Sequence, residues 1–261
     1  MKNLKEVLVI GLIVGLMSSC TSSATEDFDD INGNVKKKTL KSITATNPVE
    51  IQESISSNFI YDSDNKLMRM SGTEGNESVS MDYKNDGTSI KAGIDNEDLE
   101  SFSIEELYKA PYNVYETGEV LAYDANKNPS KIAFRDTVYD YETNTYSVET
   151  QTAEMTYDDK PNLYFATLEA AGLVEILDGV SLDFGINTQA SEVIKARQLL
   201  ATNNLIKIVY KNADSEVLAT LSIDYIYDVD GYPIKGTGTL TSNNKYEDNE
   251  PISIDVVYSY N

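Results

Sequence analysis

The chain has 261 residues, with 43 acidic against 21 basic side chains, a formal charge of −22, no histidine, no tryptophan and one cysteine. That charge disfavours nucleic acid, whose phosphates need Lys and Arg. Without His there is no Ser-His-Asp or Cys-His catalysis, ordinary zinc site or histidine-ligated haem, and one thiol forbids an internal disulfide, so no cofactor and no metal is expected.

Lys2 and Lys5 precede Val7 to Met17, a run without a polar side chain. It is shorter than the roughly 20 apolar residues that span a bilayer, and it fits the h-region of a secretory signal. Leu16-Met17-Ser18-Ser19-Cys20 then resembles the lipobox of bacterial lipoproteins. The resemblance implies that residues 1–19 are a signal peptide and that Cys20 becomes an acylated N-terminus. The lipid bilayer is then a partner, because two or three acyl chains anchor stably where one is marginal.

Residues 20–45 are poor in apolar side chains and rich in Ser, Thr, Asp and Asn, which predicts a disordered tether behind the lipidated cysteine. The acidic cluster Glu26, Asp27, Asp29 and Asp30 resembles the export tags of Bacteroidota surface lipoproteins. That leaves the periplasmic and the surface face of the outer membrane both open.

From residue 46 onward the pattern is hairpin after hairpin. Eighteen tyrosines against six phenylalanines suit half-buried pleated surfaces. Alternating runs flank acidic or amide turns at Asp62–Asn65, Asn85–Gly87, Asp124–Asn128, Glu142–Asn144, Asn212–Asp214 and Asp228–Gly231. The expected fold is mainly β: a curved antiparallel meander over 46–261, with a short helical insertion at about 161–203. Within the insertion, Thr167–Leu177 and Ala190–Ala201 carry helical spacing, and Ser103–Lys109 has a capping-box start.

The repeated turn raises a chemical question. Alternate carboxylates such as Asp228 and Asp230 could ligate calcium, but a full loop also needs a Glu at its twelfth position. That position holds Thr239 counting from Asp228 and Arg135 counting from Asp124. Asp, Asn and Gly are equally the residues that a hairpin turn demands, and folding is the favoured reading.

The Tyr-Asp-turn pattern resembles the Tyr-Asp repeats of secreted bacterial β-sheet proteins. "MTYDDKPNLYF" (Met155 to Phe165), an insertion and "NNLIKIVY" (Asn203 to Tyr210) are together similar to a group of Bacteroidota envelope lipoproteins of undetermined function. The resemblance implies a curved antiparallel β-sheet domain of undetermined function, and the expected reading is a membrane-anchored, monomeric binding or structural module rather than an enzyme. Asn162, Tyr164, Phe165, Asn203 and Asn204 flank the insertion and are the candidate contacts for a glycan or small planar ligand. Weighed against that, Tyr164 and Phe165 read as core and the Asn residues as turn formers, which is the favoured reading. Two alternatives stand beside the module: a carboxylate-dependent hydrolase such as a glycosidase, drawing on Glu105, Glu106, Glu169 or Glu175, and a calcium-stabilised adhesion module.

Overall fold

The computed structural model describes residues 23–47, 54–74, 77–94, 100–103, 111–113, 119–140, 143–175, 181–183, 193–195, 200–243 and 250–261. The signal segment, Cys20 and the expected helix body at 104–109 lie outside them.

The elements begin with helix α1 (Ala24–Asn32), followed by β1 (Leu40–Thr46), β2 (Ser54–Tyr61), β3 (Leu67–Glu74), β4 (Glu77–Asn85), β5 (Ser89–Ile94) and β6 (Glu100–Ser103). Next come β7 (Pro111–Asn113), β8 (Glu119–Tyr123), β9 (Pro129–Asp140), β10 (Thr145–Pro161) and helix α2 (Phe165–Ala170). The chain continues with β11 (Ser181–Asp183), β12 (Val193–Lys195), β13 (Asn203–Lys211), β14 (Val217–Tyr227), β15 (Pro233–Ser242) and β16 (Ile252–Tyr260).

Among the described residues thirteen strands form one antiparallel sheet in the order β6-β5-β4-β3-β2-β1-β16-β15-β14-β13-β10-β9-β8. Every neighbour is sequential except at two seams. At one, β1 pairs with β16, with Leu40 opposite Tyr260. At the other, β10 pairs with β13 across the insertion. A separate small sheet joins β7, β11 and β12.

Alternation decides the faces. In β14, Leu221 and Ile223 are buried while Asp224 and Ile226 are exposed, the period-2 pattern of a sheet with one covered face. Leu221 and Ile223 join Ile132, Ala153, Met155, Leu205 and Ile208 in the main core. Each such buried aliphatic side chain contributes about 1.5–3 kcal/mol. Ile90 of β5 packs against this cluster although β5 lies near the opposite end of the strand order. The sheet is therefore curved, and its inner face is closed by the turn after α2, where Leu173 reaches the same cluster. Tyr83 Oη and Asn85 Nδ2 both donate to the Ala171 carbonyl, at 2.6 and 3.1 Å, and tie that turn to β4.

Antiparallel register sends one set of connections to each end of the sheet. The turns at 62–66, 86–88, 124–128 and 228–232 share an end with the start of β1, the finish of β16 and both ends of the insertion. Helix α1 lies across this end, which is called the capped end below.

Three expectations are corrected. Residues 20–45 are not a tether throughout: α1 is folded from Ala24 and β1 begins at Leu40. Ser23 and Glu26 form a reciprocal capping box, and Gly33 closes the helix at φ 67°. The amphipathic pattern is short, yet it buries Ala24, Asp27 and Phe28. Ala190–Ala201 is not one helix either, since Val193–Lys195 is a strand paired with β11. Adjacent β-branched Val193 and Ile194 suit a strand. The other expected insertion helix, Thr167–Leu177, starts earlier, at Phe165, and is interrupted at Gly172 (φ 67°) before helical backbone resumes over 173–175.

Candidate functional site at the capped end

Three turns at this end are built alike. The Oδ1 of Asp62, Asp124 and Asp228 each accepts two backbone N–H bonds at 2.9 Å, from the residues two and four positions on. The fourth residue is left-handed in each: Asn65 at φ 60°, Lys127 at 64° and Gly231 at 86°. The next strand then re-enters with a bulge beside Tyr61, Tyr123 and Tyr227. A type I turn followed by a left-handed residue makes this kind of bulged hairpin. One lone pair set of each carboxylate is thus spent on the backbone.

Asn128, at the close of the second turn, is fully buried and joins three segments. Its Oδ1 accepts from Thr202 N at 2.8 Å and Asn203 N at 3.2 Å, and its Nδ2 donates to Asn203 Oδ1 at 2.9 Å and Asp124 Oδ2 at 3.0 Å. Asn203 Nδ2 donates onward to the Lys160 carbonyl at 3.0 Å. Asn204 accepts from Leu163 N at 2.8 Å and donates its Nδ2 to Asp158 Oδ2 at 3.1 Å. Asn162 donates to the Asn203 carbonyl at 3.2 Å and accepts from Tyr164 N at 2.8 Å.

The structure therefore brings the candidates Asn162, Asn203 and Asn204 together, with their amides turned into the protein and bonded there. Tyr164 is half-buried against the cluster of Leu40, Leu163, Val256 and Tyr258. Phe165 is 1% exposed and stacks on Phe28 of α1, ring centres 4.0 Å apart. Lys37 caps the stack, its Nζ 5.5 Å from one ring centre and 5.4 Å from the other. Sequence reading missed Asn128, Thr202, Asp158 and Lys38. Asn128 carried one usable signal, its place at the end of the same turn motif.

Lysines answer the carboxylates here. Lys38 Nζ lies 2.6 Å from both Asp228 and Asp230, Lys127 lies 2.6 Å from buried Asp27, and Lys37 bridges Asp29 and Glu169 at 3.3 and 2.9 Å. The ammonium of Lys38 thus sits where a cation bound by Asp228 and Asp230 would sit. Burial acts to raise the Asp228 carboxyl, but Lys38 and the N–H groups of Tyr232 and Asp230 hold it below the ordinary carboxylate value. Asp158 goes the other way: burial raises its carboxyl despite bonds from Tyr227, Lys160 N and Asn204. Of the carboxylates singled out for hydrolysis, Glu169 is bonded to Thr25 and Lys37, and Glu105 and Glu106 lie outside the described residues.

A cleft of about 430 Å³ opens between the end of α1 (Ile31, Asn32), the end of β10 (Lys160, Pro161) and the β14–β15 turn (Tyr227, Val229). It borders the amide network, since Asn162 follows Pro161 and Asn32 Nδ2 donates to the Thr202 carbonyl at 3.1 Å.

No family model matches the chain. No curated protein matches it either. Among solved structures it is similar to a porin-like protein from Bacteroides uniformis, at 10% identity and TM-score 0.44, over 86% of this chain and 99% of that one. It is also similar to a LolA superfamily protein from Nitrosomonas europaea, at 8% identity and TM-score 0.28, over 92% of each chain. A third is an outer membrane lipoprotein-sorting protein domain from Vibrio parahaemolyticus, at 9% identity and TM-score 0.27, over 90% of this chain and 88% of that one. Likenesses this distant say nothing of what the chain binds. Among the described residues, no helix is long and apolar enough to cross a membrane.

Proposed function

We propose that the chain is a membrane-anchored envelope lipoprotein whose sheet acts as a non-enzymatic binding or structural module. The observation that carries the module reading is the self-sufficiency of the capped end. Asn128, Asn162, Asn203 and Asn204 bond one another and the backbone, and Lys37, Lys38 and Lys127 engage the nearby carboxylates. A catalytic carboxylate pair needs one acid and one base facing a substrate, and groups held this way serve rigidity instead. On this reading the five candidate residues are the frame behind the cleft, and a glycan or small planar ligand would meet Tyr227, Pro161 and Asn32 at its wall. Anchoring is supported by the apolar run ahead of Cys20, the chain's one thiol.

Cys20→Ala is expected to abolish acyl labelling and release the protein from membranes. Continued membrane fractionation of that variant would refute the anchor. Turnover of a glycan by the purified protein, lost on replacing a capped-end carboxylate, would refute the non-enzymatic reading.

A further inference from the structure

We propose that the capped end sits directly against the lipid headgroups, so that the sheet stands on the bilayer instead of floating on a tether; this rests on acylation of Cys20. The argument is one of reach. Ser23 is fixed as the N-cap of α1, its N–H donating to Glu26 Oε2 at 2.9 Å and its Oγ accepting from Glu26 N at 3.2 Å. Helix α1 is itself fixed in the body by the Phe28–Phe165 stack, the Lys127–Asp27 pair and the Asn32–Thr202 bond. Three residue steps separate Cys20 from Ser23, which span at most about 11 Å when fully extended. Unwinding α1 to lengthen the link would expose Phe28 and Ala24, which are 0% and 6% exposed in the fold.

The end remains acidic, with Glu26, Asp30, Asp62 and Asp64 exposed on it, so the acyl chains rather than charge hold it against the headgroups. Four carboxylates of the end, on Asp27, Asp29, Asp228 and Asp230, are paired to Lys127, Lys37 and Lys38. Lys36 is exposed beside them, and Val229 stands fully exposed at the tip of its turn. The opposite end is far away: β14 has 11 residues, a rise of about 36 Å, and it carries the Asn212–Glu216 turn at its far end.

The test uses the acylated full-length protein in phosphatidylcholine vesicles containing a headgroup-linked nitroxide quencher. Acylation consumes the Cys20 thiol, so Val229→Cys and Asp214→Cys each offer one labelling site for a fluorophore, both on exposed turns. Quenching is expected to be several-fold stronger at position 229 than at 214. A Gly-Ser insertion of about ten residues between Ser22 and Ser23 should weaken the quenching at 229, because it lengthens the link well beyond the quencher's range. Equal quenching at the two positions, in protein whose mass carries the acyl groups, overturns the direct mount alone. Quenching at 229 that ignores the insertion overturns the reach argument. Absence of the acyl mass overturns this proposal together with the anchor.

Discussion

Phe28→Ala measures whether α1 belongs to the folded body. The ring is 0% exposed and stacked on Phe165 with 12° between planes, and Ala24, Val174 and Leu200 complete its cluster. Truncating a buried Phe to Ala costs about 3–5 kcal/mol, from lost transfer energy and the cavity left behind. For a domain of this size each kcal/mol moves the melting temperature by about 2–4 °C, so the expected fall is about 6–20 °C. Thermal unfolding followed by circular dichroism reads it, with Asp30→Ala on the exposed face of α1 as control, expected within about 0.5 kcal/mol. If Phe28→Ala shifts the transition no more than Asp30→Ala, α1 is not part of the body, and the direct mount falls with it.

Gly236→Ala should destabilise by about 1–3 kcal/mol through overpacking, because a Cβ there would lie 3.1 Å from the Tyr225 ring. Gly238→Ala in the same strand should be close to neutral, since its nearest neighbour would be 3.9 Å away, and denaturant midpoints compare the two. Calcium at millimolar concentration should leave the wild-type melting temperature flat, because the Lys38 ammonium already stands between Asp228 and Asp230. A calcium-dependent rise that Asp230→Asn removes would make the turn a calcium site. Asp86 is held below its ordinary value of 3.8 by Thr88 and Ser89, so its stabilising contribution is present above that pH and fades as pH falls below it. Asp86→Asn keeps an acceptor for the turn, and the gap in stability between wild type and variant should close on acidification below pH 3.8; a gap that stays constant would refute this.

The meander was legible because its signals are local. Alternation in Leu221–Ile226 gives the face, and Asp228 with Gly231 gives the turn, all within a dozen residues. Helix α1 was missed: its polar composition argued for a tether, although Ser23 with Glu26 and Gly33 carry the capping signals that the structure uses. What reverses that composition is distant: Lys127 lies 100 residues along the chain from Asp27, and Phe165 is supplied by the insertion. The same holds for the Asn203–Asn204 pair. Its motif is plain in sequence, but the inward direction of its amides depends on Asn128, 75 residues from Asn203, and on Asp158, 46 residues from Asn204. Adjacent Val193 and Ile194 fit either a helical face or a short strand, and only the pairing with Ser181–Asp183 separates the two.

The pairing of β1 with β16 has a consequence for biogenesis. Leu40 meets Tyr260, and Asn261 N donates to the Thr39 carbonyl at 3.0 Å, so the middle of the sheet is made from segments far apart in sequence, 217 residues at Ser42 and Ser259. The hairpins on either side of that seam need only sequence neighbours and can zip early, whereas contacts of such long separation form slowly. The seam waits until β16 has been made, and until then β1 offers an unsatisfied edge in the company of half-built partners. A sheet wired this way is complete only once β16 has joined β1 to β15, and losing that one strand would leave two disconnected half-sheets.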